Sequence, residues 1–112
     1  MDNVKGDAYY ASKSIENISV IKKYIKNKSY EEFISDGELV DAIMFRLVQL
    51  IENINKMSAE FKDKNSHIPW GDILGFRNGI VHEYGETDYK IVYETIINDL
   101  DDLYDVFIEQ ID

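Results

Sequence analysis

The residues with the clearest capacity for chemistry lie between positions 77 and 84 of the chain. His82 has the type of side chain that accepts and donates protons near neutral pH. Arg77, five positions earlier, carries a permanent charge and a planar set of donors that suits an anion. Asn78 could orient the histidine or bind a phosphate, and Tyr84 adds a hydroxyl two positions after the histidine. Side chains of these types, if they were brought together, could transfer a proton beside a bound anion.

The element that must position these residues is the third of four predicted main helices, over about residues 69–84. Pro69 fits its first position, where the missing N–H costs nothing. Gly85 is placed to end the helix in a left-handed conformation. At about 100° per residue, one stripe of this helix is apolar and predicted to be buried. That stripe consists of Trp70, Ile73, Leu74, Ile80 and Val81.

Arg77 falls in the middle of this apolar stripe, and Tyr84 lies within about 20° of it on an ideal helix. A charge at such a position must be paired or must line a cavity, because a lone buried charge is very costly. Glu52 is the candidate partner, since it lies close to the edge of the apolar face of the preceding helix.

The other side of the third helix carries glycine every fourth residue, at Gly71, Gly75 and Gly79. Each glycine inside a helix costs about 1 kcal/mol relative to alanine, so the three require a reason. Glycine allows another backbone to approach closely. We therefore expect this face to meet another helix, and a second copy of the chain across a two-fold axis is the candidate. Asn78 and His82 share that face. Arg77 and His82 are about 140° apart on an ideal helix, so they need not converge within one protomer, but a dimer cleft could gather two copies of each.

Apolar residues at three- and four-residue spacing predict helices in the rest of the chain as well. The first covers roughly residues 5–27, and a short helical turn follows at Tyr30 to Ile34. The second main helix runs from about Glu38 to Phe61, and the polar segment Lys62 to His67 is predicted to be a loop. The fourth runs from about Tyr89 to Ile111. The predicted fold is an all-α, up-and-down bundle of four main helices plus the short turn.

The length of 112 residues suits a single domain, covering residues 1–112. The absence of cysteine excludes disulfides and fits a reducing cytoplasm. No apolar run approaches the roughly 18–20 residues of a membrane helix, and the first residues lack a signal-peptide pattern. A net charge of −10 argues against nonspecific coating of nucleic acid, but it leaves room for a small, locally basic site.

The segment from Arg77 to Tyr84 resembles the Arg-x4-His-x-Tyr motif of HepT-type toxins, in the HEPN superfamily of small helical ribonucleases. The likeness extends upstream to residues 68–78 and to Tyr30-Glu31-Glu32-Phe33, and spans roughly residues 30–107 in all. Glu52 matches a glutamate that the family usually places in an Ile-Gly-Glu-Ala setting. Here that setting reads Leu50-Ile51-Glu52-Asn53, so both small residues are replaced.

The resemblance implies a metal-independent endoribonuclease that needs no cofactor and acts as a homodimer. His82 and Arg77 would be its catalytic residues, acting as the proton-transfer group and as the cation on the phosphorane, with Asn78 and Glu52 in support. It further implies a nucleotidyltransferase antitoxin as partner, which transfers AMP onto Tyr84 and so blocks the site of the RNA phosphate.

Plainer interpretations stay open beside these. Arg77 could be a structural arginine, His82 could interact with the helix dipole, and Tyr84 could simply pack. The lysines of the first helix, at positions 22, 23, 26 and 28, could guide RNA, contact the partner or form a solvated face. The alternative function is a catalytically inactive HEPN-like binding module, a helper subunit of a nucleotidyltransferase.

Overall fold

The chain folds into a helical bundle, and the described part contains six helices and no strand. The computed structural model describes residues 5–82 and 87–111, without the side chains of residues 77–82. In chain order the helices are α1 (Asp7–Ile25), α2 (Tyr30–Ser35), α3 (Gly37–Asn55), α4 (Ala59–Lys64), α5 (Trp70–His82) and α6 (Tyr89–Ile111). The predicted all-α fold is therefore confirmed, with α1, α3, α5 and α6 as its main helices and α2 as the short turn.

Helix α1 organises the bundle, because it packs along both α3 and α6. Helix α5 packs on α3, and α2 contacts both α3 and α6. Aliphatic and aromatic side chains from these helices and from α4 form one buried core, around which the chain has a radius of gyration of 14.2 Å. None of the helices in the described ranges is long and apolar enough to cross a membrane.

Short polar side chains determine where several helices begin. The Ser29 hydroxyl accepts from the Glu32 N–H at 3.1 Å, and the Ser29 N–H donates to the Glu32 carboxylate at 3.0 Å. This reciprocal pair is a capping box. The bond from the Ser29 N–H is the main reason that the pKa of Glu32 lies below its usual value. Asp36 caps α3 by accepting from the Leu39 N–H at 3.1 Å.

The prediction of one long helix from Glu38 to Phe61 is wrong, because two helices cover this segment. Helix α3 ends at Asn55 and α4 begins at Ala59. The segment predicted to be a loop from Lys62 onwards is consequently helical as far as Lys64.

Ser58 is the physical reason for this break. Its hydroxyl accepts from the Phe61 N–H at 3.1 Å and caps α4. Its own N–H donates to the Asp7 carboxylate at 2.8 Å, and its hydroxyl also donates to that carboxylate. Met57 and Phe61, on either side of Ser58, are both buried. The helical spacing of apolar residues therefore continues across the break, and the sequence pattern alone predicts an uninterrupted helix.

The buried face of α1 differs from the purely apolar face that hydrophobic spacing predicts. Ala8 is exposed, whereas Ser14 and Asn17 are buried. The Asn17 amide donates to the Lys13 carbonyl at 3.1 Å, and its oxygen accepts from Arg46 on α3 at 3.3 Å. The hydrogen bond between Asn17 and Arg46 links α1 to α3. A pattern of apolar residues does not predict that a polar residue is buried in this way.

Candidate active site

The helix that carries the motif is anchored at its first residue, Trp70. The Trp70 indole N–H donates to the carbonyls of Lys62 and Asn65, each at 3.1 Å. The ring lies 5.6 Å from the Phe61 ring and 6.5 Å from the Phe107 ring, centroid to centroid. A buried indole needs both an apolar site and a hydrogen-bond acceptor, and this site supplies both. The start of α5 is thus fixed against α4 and the C-terminal part of α6.

The observed start of α5 is one residue later than predicted. Pro69 lies immediately before the helix, and its carbonyl accepts from the Ile73 N–H at 3.1 Å. Pro69 therefore occupies the capping position rather than the first helical position. Gly85, which the sequence places at the helix end, lies outside the described residues.

Helix α5 continues without a break from Trp70 to His82, so Arg77, Asn78 and His82 belong to one helix. At about 1.5 Å per residue, the α carbon of His82 is about 18 Å from that of Trp70 along the helix axis. The roles assigned to these three residues remain predictions, since their side chains are not described. Tyr84 lies outside the described residues, and its role likewise remains a prediction.

The first half of α5 turns an apolar face to the bundle, as the sequence indicates. Trp70 is buried, and Ile73, Leu74 and Phe76 are half-buried and pack against the core. Between α3, α5 and α6 lies an apolar cleft with a volume of about 160 Å³. Leu47, Leu50, Ile51, Ile54, Ile68, Ile73, Phe76, Leu100 and Leu103 form its apolar lining, with polar groups at Thr95, Asp99 and Asp102. The sequence analysis did not assign Phe76 to this face.

Glu52 lies half-buried on α3, next to the buried Ile51, which agrees with its predicted place at the edge of the apolar face. Its pairing with Arg77 remains a prediction. Phe45 lies seven positions earlier on α3, and therefore within about 20° of Glu52 around that helix. The Phe45 side chain is 60% exposed, the largest exposed fraction among the large hydrophobic residues described. The exposure of Phe45 was not predicted from the sequence, because a large apolar side chain on a helix is expected to be buried.

The glycine face of α5 is open in the single protomer at the two positions for which its surroundings are described. Gly71 and Gly75 are exposed, and a Cβ atom added at either position would meet nothing within 4 Å. The φ angles of the described glycines are not in the left-handed region. Neither close packing inside the protomer nor backbone conformation therefore explains why glycine stands at these two positions.

The described residues contain no group of three or more His, Cys, Asp or Glu side chains that could hold a metal ion. His67 is exposed in the segment before α5, at the edge of the apolar cleft. This agrees with its interpretation as an ordinary loop residue.

Comparison with known proteins gives the family. The family described as Ribonuclease HepT-like matches residues 14–111. "Putative RNase TTE0752" of Caldanaerobacter subterraneus subsp. tengcongensis is 30% identical over 94 residues, which is 84% of this chain and 84% of that protein. "Putative RNase MJ1216" of Methanocaldococcus jannaschii is 32% identical over 81 residues, 72% of this chain and 67% of that protein.

A third relative is the "Probable ribonuclease HepT" of Thermococcus cleftensis. It is 24% identical over 94 residues, which is 84% of this chain and 86% of that protein. No solved structure gives a significant match. The resemblance inferred from the segment Arg77 to Tyr84 is thus confirmed at the level of the family: the chain belongs to the HepT-like ribonucleases of the HEPN superfamily.

Proposed function

We propose that this protein is a metal-independent endoribonuclease and the toxin of a HEPN/nucleotidyltransferase toxin–antitoxin system. The observation that carries the proposal is the family match over residues 14–111, which includes the whole of the anchored helix α5 and the motif residues on it. The names of the relatives, which describe them as ribonucleases, support the same activity.

The proposed reaction is attack of a ribose 2′-hydroxyl on the adjacent phosphorus. The hydroxyl loses its proton, the bond from phosphorus to the 5′-oxygen breaks, and that oxygen takes up a proton. His82 is the group that moves protons near neutral pH, and Arg77 is the fixed cation that stabilises the charge of the phosphorane. Asn78 orients the histidine or binds the phosphate, and Glu52 supports Arg77.

The active form is a homodimer that closes over the glycine face of α5. Support comes from Gly71 and Gly75, whose lack of a side chain has no explanation within one protomer. The exposed Phe45 on the neighbouring α3 supplies apolar surface that a second copy would cover. Such a two-fold arrangement brings both copies of the motif helix into one cleft.

Control of the toxin is covalent and acts on Tyr84. The partner is a nucleotidyltransferase antitoxin: the tyrosine oxygen attacks the α-phosphorus of ATP, pyrophosphate leaves, and the phenolic proton is released. The attached AMP adds about one negative charge and a bulky group next to the position of the RNA phosphate, and it acts by the same repulsion and crowding as phosphorylation.

The deciding experiment is incubation of the purified protein with single-stranded RNA in the presence of EDTA. The expected result is cleavage to fragments with a cyclic phosphate at one end and a 5′-hydroxyl at the other. His82→Ala and Arg77→Ala, purified identically, are the controls against a contaminating nuclease. Absence of cleavage by the wild-type protein, or cleavage by both variants at the wild-type rate, would favour the alternative of an inactive binding module.

A further inference from the structure

A shallow groove lined by lysines runs between the C-terminal end of α1 and the middle of α6. It has a volume of about 630 Å³ and faces solvent. We call it the lysine groove. Its walls are formed by Ser19, Lys22, Lys23, Ile25, Lys26, Asn27 and Lys28 from the α1 side, and by Ile96, Ile97 and Asp101 of α6.

The lysine groove concentrates positive charge in a strongly acidic chain. Four of the 12 basic residues line it, although the chain as a whole has a net charge of −10. All four lysines are exposed. Within the described residues the groove contains one ion pair, between Lys22 and Asp101. Lys23 and Lys26 are therefore available to an anion from outside the chain.

The backbone holds the far end of the groove in place. Asn27 has a φ of 60°, a left-handed conformation that turns the chain back after α1. The carbonyl of Lys28, the next residue, accepts a hydrogen bond from the Tyr93 hydroxyl of α6. A favourable interaction with the end of the helix dipole accounts for cations in the last turn of α1. The dipole does not account for Lys28, which lies beyond the last turn of α1 and whose backbone carbonyl is bonded to α6.

The lysine groove lies towards the end of the bundle at which α5 finishes. Trp70, at the start of α5, packs on Phe107 near the C-terminal end of α6, whereas the groove is lined by Ile96 and Ile97 nearer the beginning of α6. Helix α5 extends away from its anchor and ends at His82, only a few residues before α6 begins at Tyr89. The groove and the apolar cleft beside α5 share no lining residue, so a ligand in the groove does not occupy the cleft.

We propose that the lysine groove binds the phosphodiester backbone of single-stranded RNA, in the part of the substrate that flanks the cleaved bond. The inference rests on the proposed ribonuclease function and extends it by a second contact surface. Lysine side chains are the usual partners of a phosphate backbone. The centres of protein–protein interfaces are depleted in lysine, and Ile97, 49% exposed, is the one exposed apolar residue among the groove's lining. These features favour a nucleic acid over an acidic protein as the occupant.

The test measures affinity apart from cleavage. The probe is a fluorescently labelled single-stranded RNA with 2′-O-methyl groups throughout, which cannot attack its own phosphates. Fluorescence anisotropy gives its dissociation constant for the full chain at several salt concentrations. The test variant is Lys23→Gln/Lys26→Gln, and the matched control is Lys62→Gln/Lys64→Gln, which removes the same charge from α4 at the other end of the bundle.

Losing two phosphate contacts should make the slope of the logarithm of the association constant against the logarithm of the salt concentration less negative by about 1.4. It should also weaken binding about tenfold at about 0.15 M salt. The control should leave the slope unchanged. Equal losses in both variants, or no loss in the test variant, would overturn the inference. Unchanged RNA binding together with failed co-purification with the nucleotidyltransferase would assign the groove to a protein instead.

The outcomes also separate this inference from the proposed function. If the wild-type protein cleaves RNA and the Lys23→Gln/Lys26→Gln variant binds RNA as tightly as wild type, the groove inference is wrong and the proposed function stands. A wild-type protein that neither binds nor cleaves RNA rules out the proposed function, and the groove inference fails with it. Circular dichroism of each variant checks that the helices are intact; Lys23, Lys26 and Lys64 are exposed and Lys62 is half-buried.

Discussion

Replacing Gly75 with alanine distinguishes a glycine face that forms a dimer interface from one that faces solvent, because the two cases predict opposite effects on stability. In a lone protomer a Cβ atom at this position meets nothing within 4 Å. Alanine should then stabilise α5 by about 1 kcal/mol through its helix propensity. For a domain of this size the gain corresponds to a rise in Tm of about 4 °C.

A dimer that closes over this face reverses the expectation. The added methyl group occupies space that the partner's backbone needs, and overpacking of this kind costs about 1–3 kcal/mol. Because a two-fold interface contains the substitution twice, the dissociation constant should rise by at least about tenfold. Gly75→Leu should separate the protomers entirely or misplace the cleft between them.

Sedimentation velocity across micromolar concentrations, combined with thermal unfolding, measures both quantities. Gly37→Ala is the control, because Gly37 is also exposed with nothing within 4 Å of an added Cβ, but it lies at the start of α3. It should leave the dimer intact. A wild-type chain that remains monomeric, or a Gly75→Ala variant that dimerises as tightly as wild type and melts higher, would refute the proposed interface.

Three further outcomes follow from the site and the fold. His82→Ala and Arg77→Ala should each abolish growth inhibition with unchanged circular dichroism, since general acid–base catalysis alone contributes about 10²–10⁴-fold; persistent cleavage would move the chemistry elsewhere. Tyr84→Phe should keep most nuclease activity but escape neutralisation, with no AMP addition in the intact mass of co-expressed protein; AMP on another tyrosine would contradict this. Ser58→Ala should lower the free energy of unfolding by about 1 kcal/mol in urea titration, because α4 loses its cap; an unchanged midpoint would show that the cap is unimportant.

The sequence predicted the helices best where apolar spacing and capping signals agree. Helix α6 was predicted from Tyr89 to Ile111 and is observed there, because nothing interrupts its pattern of buried residues. The break between α3 and α4 could not be predicted in this way. Besides the local cap on Phe61, it involves bonds between Ser58 and Asp7, 51 positions apart in the chain, and no local pattern predicts such a contact.

Single residues on the surface and in the core show the same limit. Asn17 is buried through its contact with Arg46 on another helix, although its type predicts exposure. Phe45 is exposed, although its type predicts burial. The lysines of α1 were visible in the sequence. The groove that they line was not, because it depends on the turn at Asn27 and on the packing of α6 against α1.

The start of α5 fixes where the backbone of the motif residues begins its course along the bundle. The helix is positioned from its start, where the buried indole of Trp70 is fixed by two carbonyls and two aromatic rings. Arg77 follows two turns later, about 10 Å along the axis, on the same continuous helix. Its backbone position therefore depends chiefly on the Trp70 anchor and on the half-buried Ile73 beside α3. Ile51, the residue before Glu52, lines the apolar cleft together with Ile73 and Phe76 and so adds bulk to the α3 face that α5 meets.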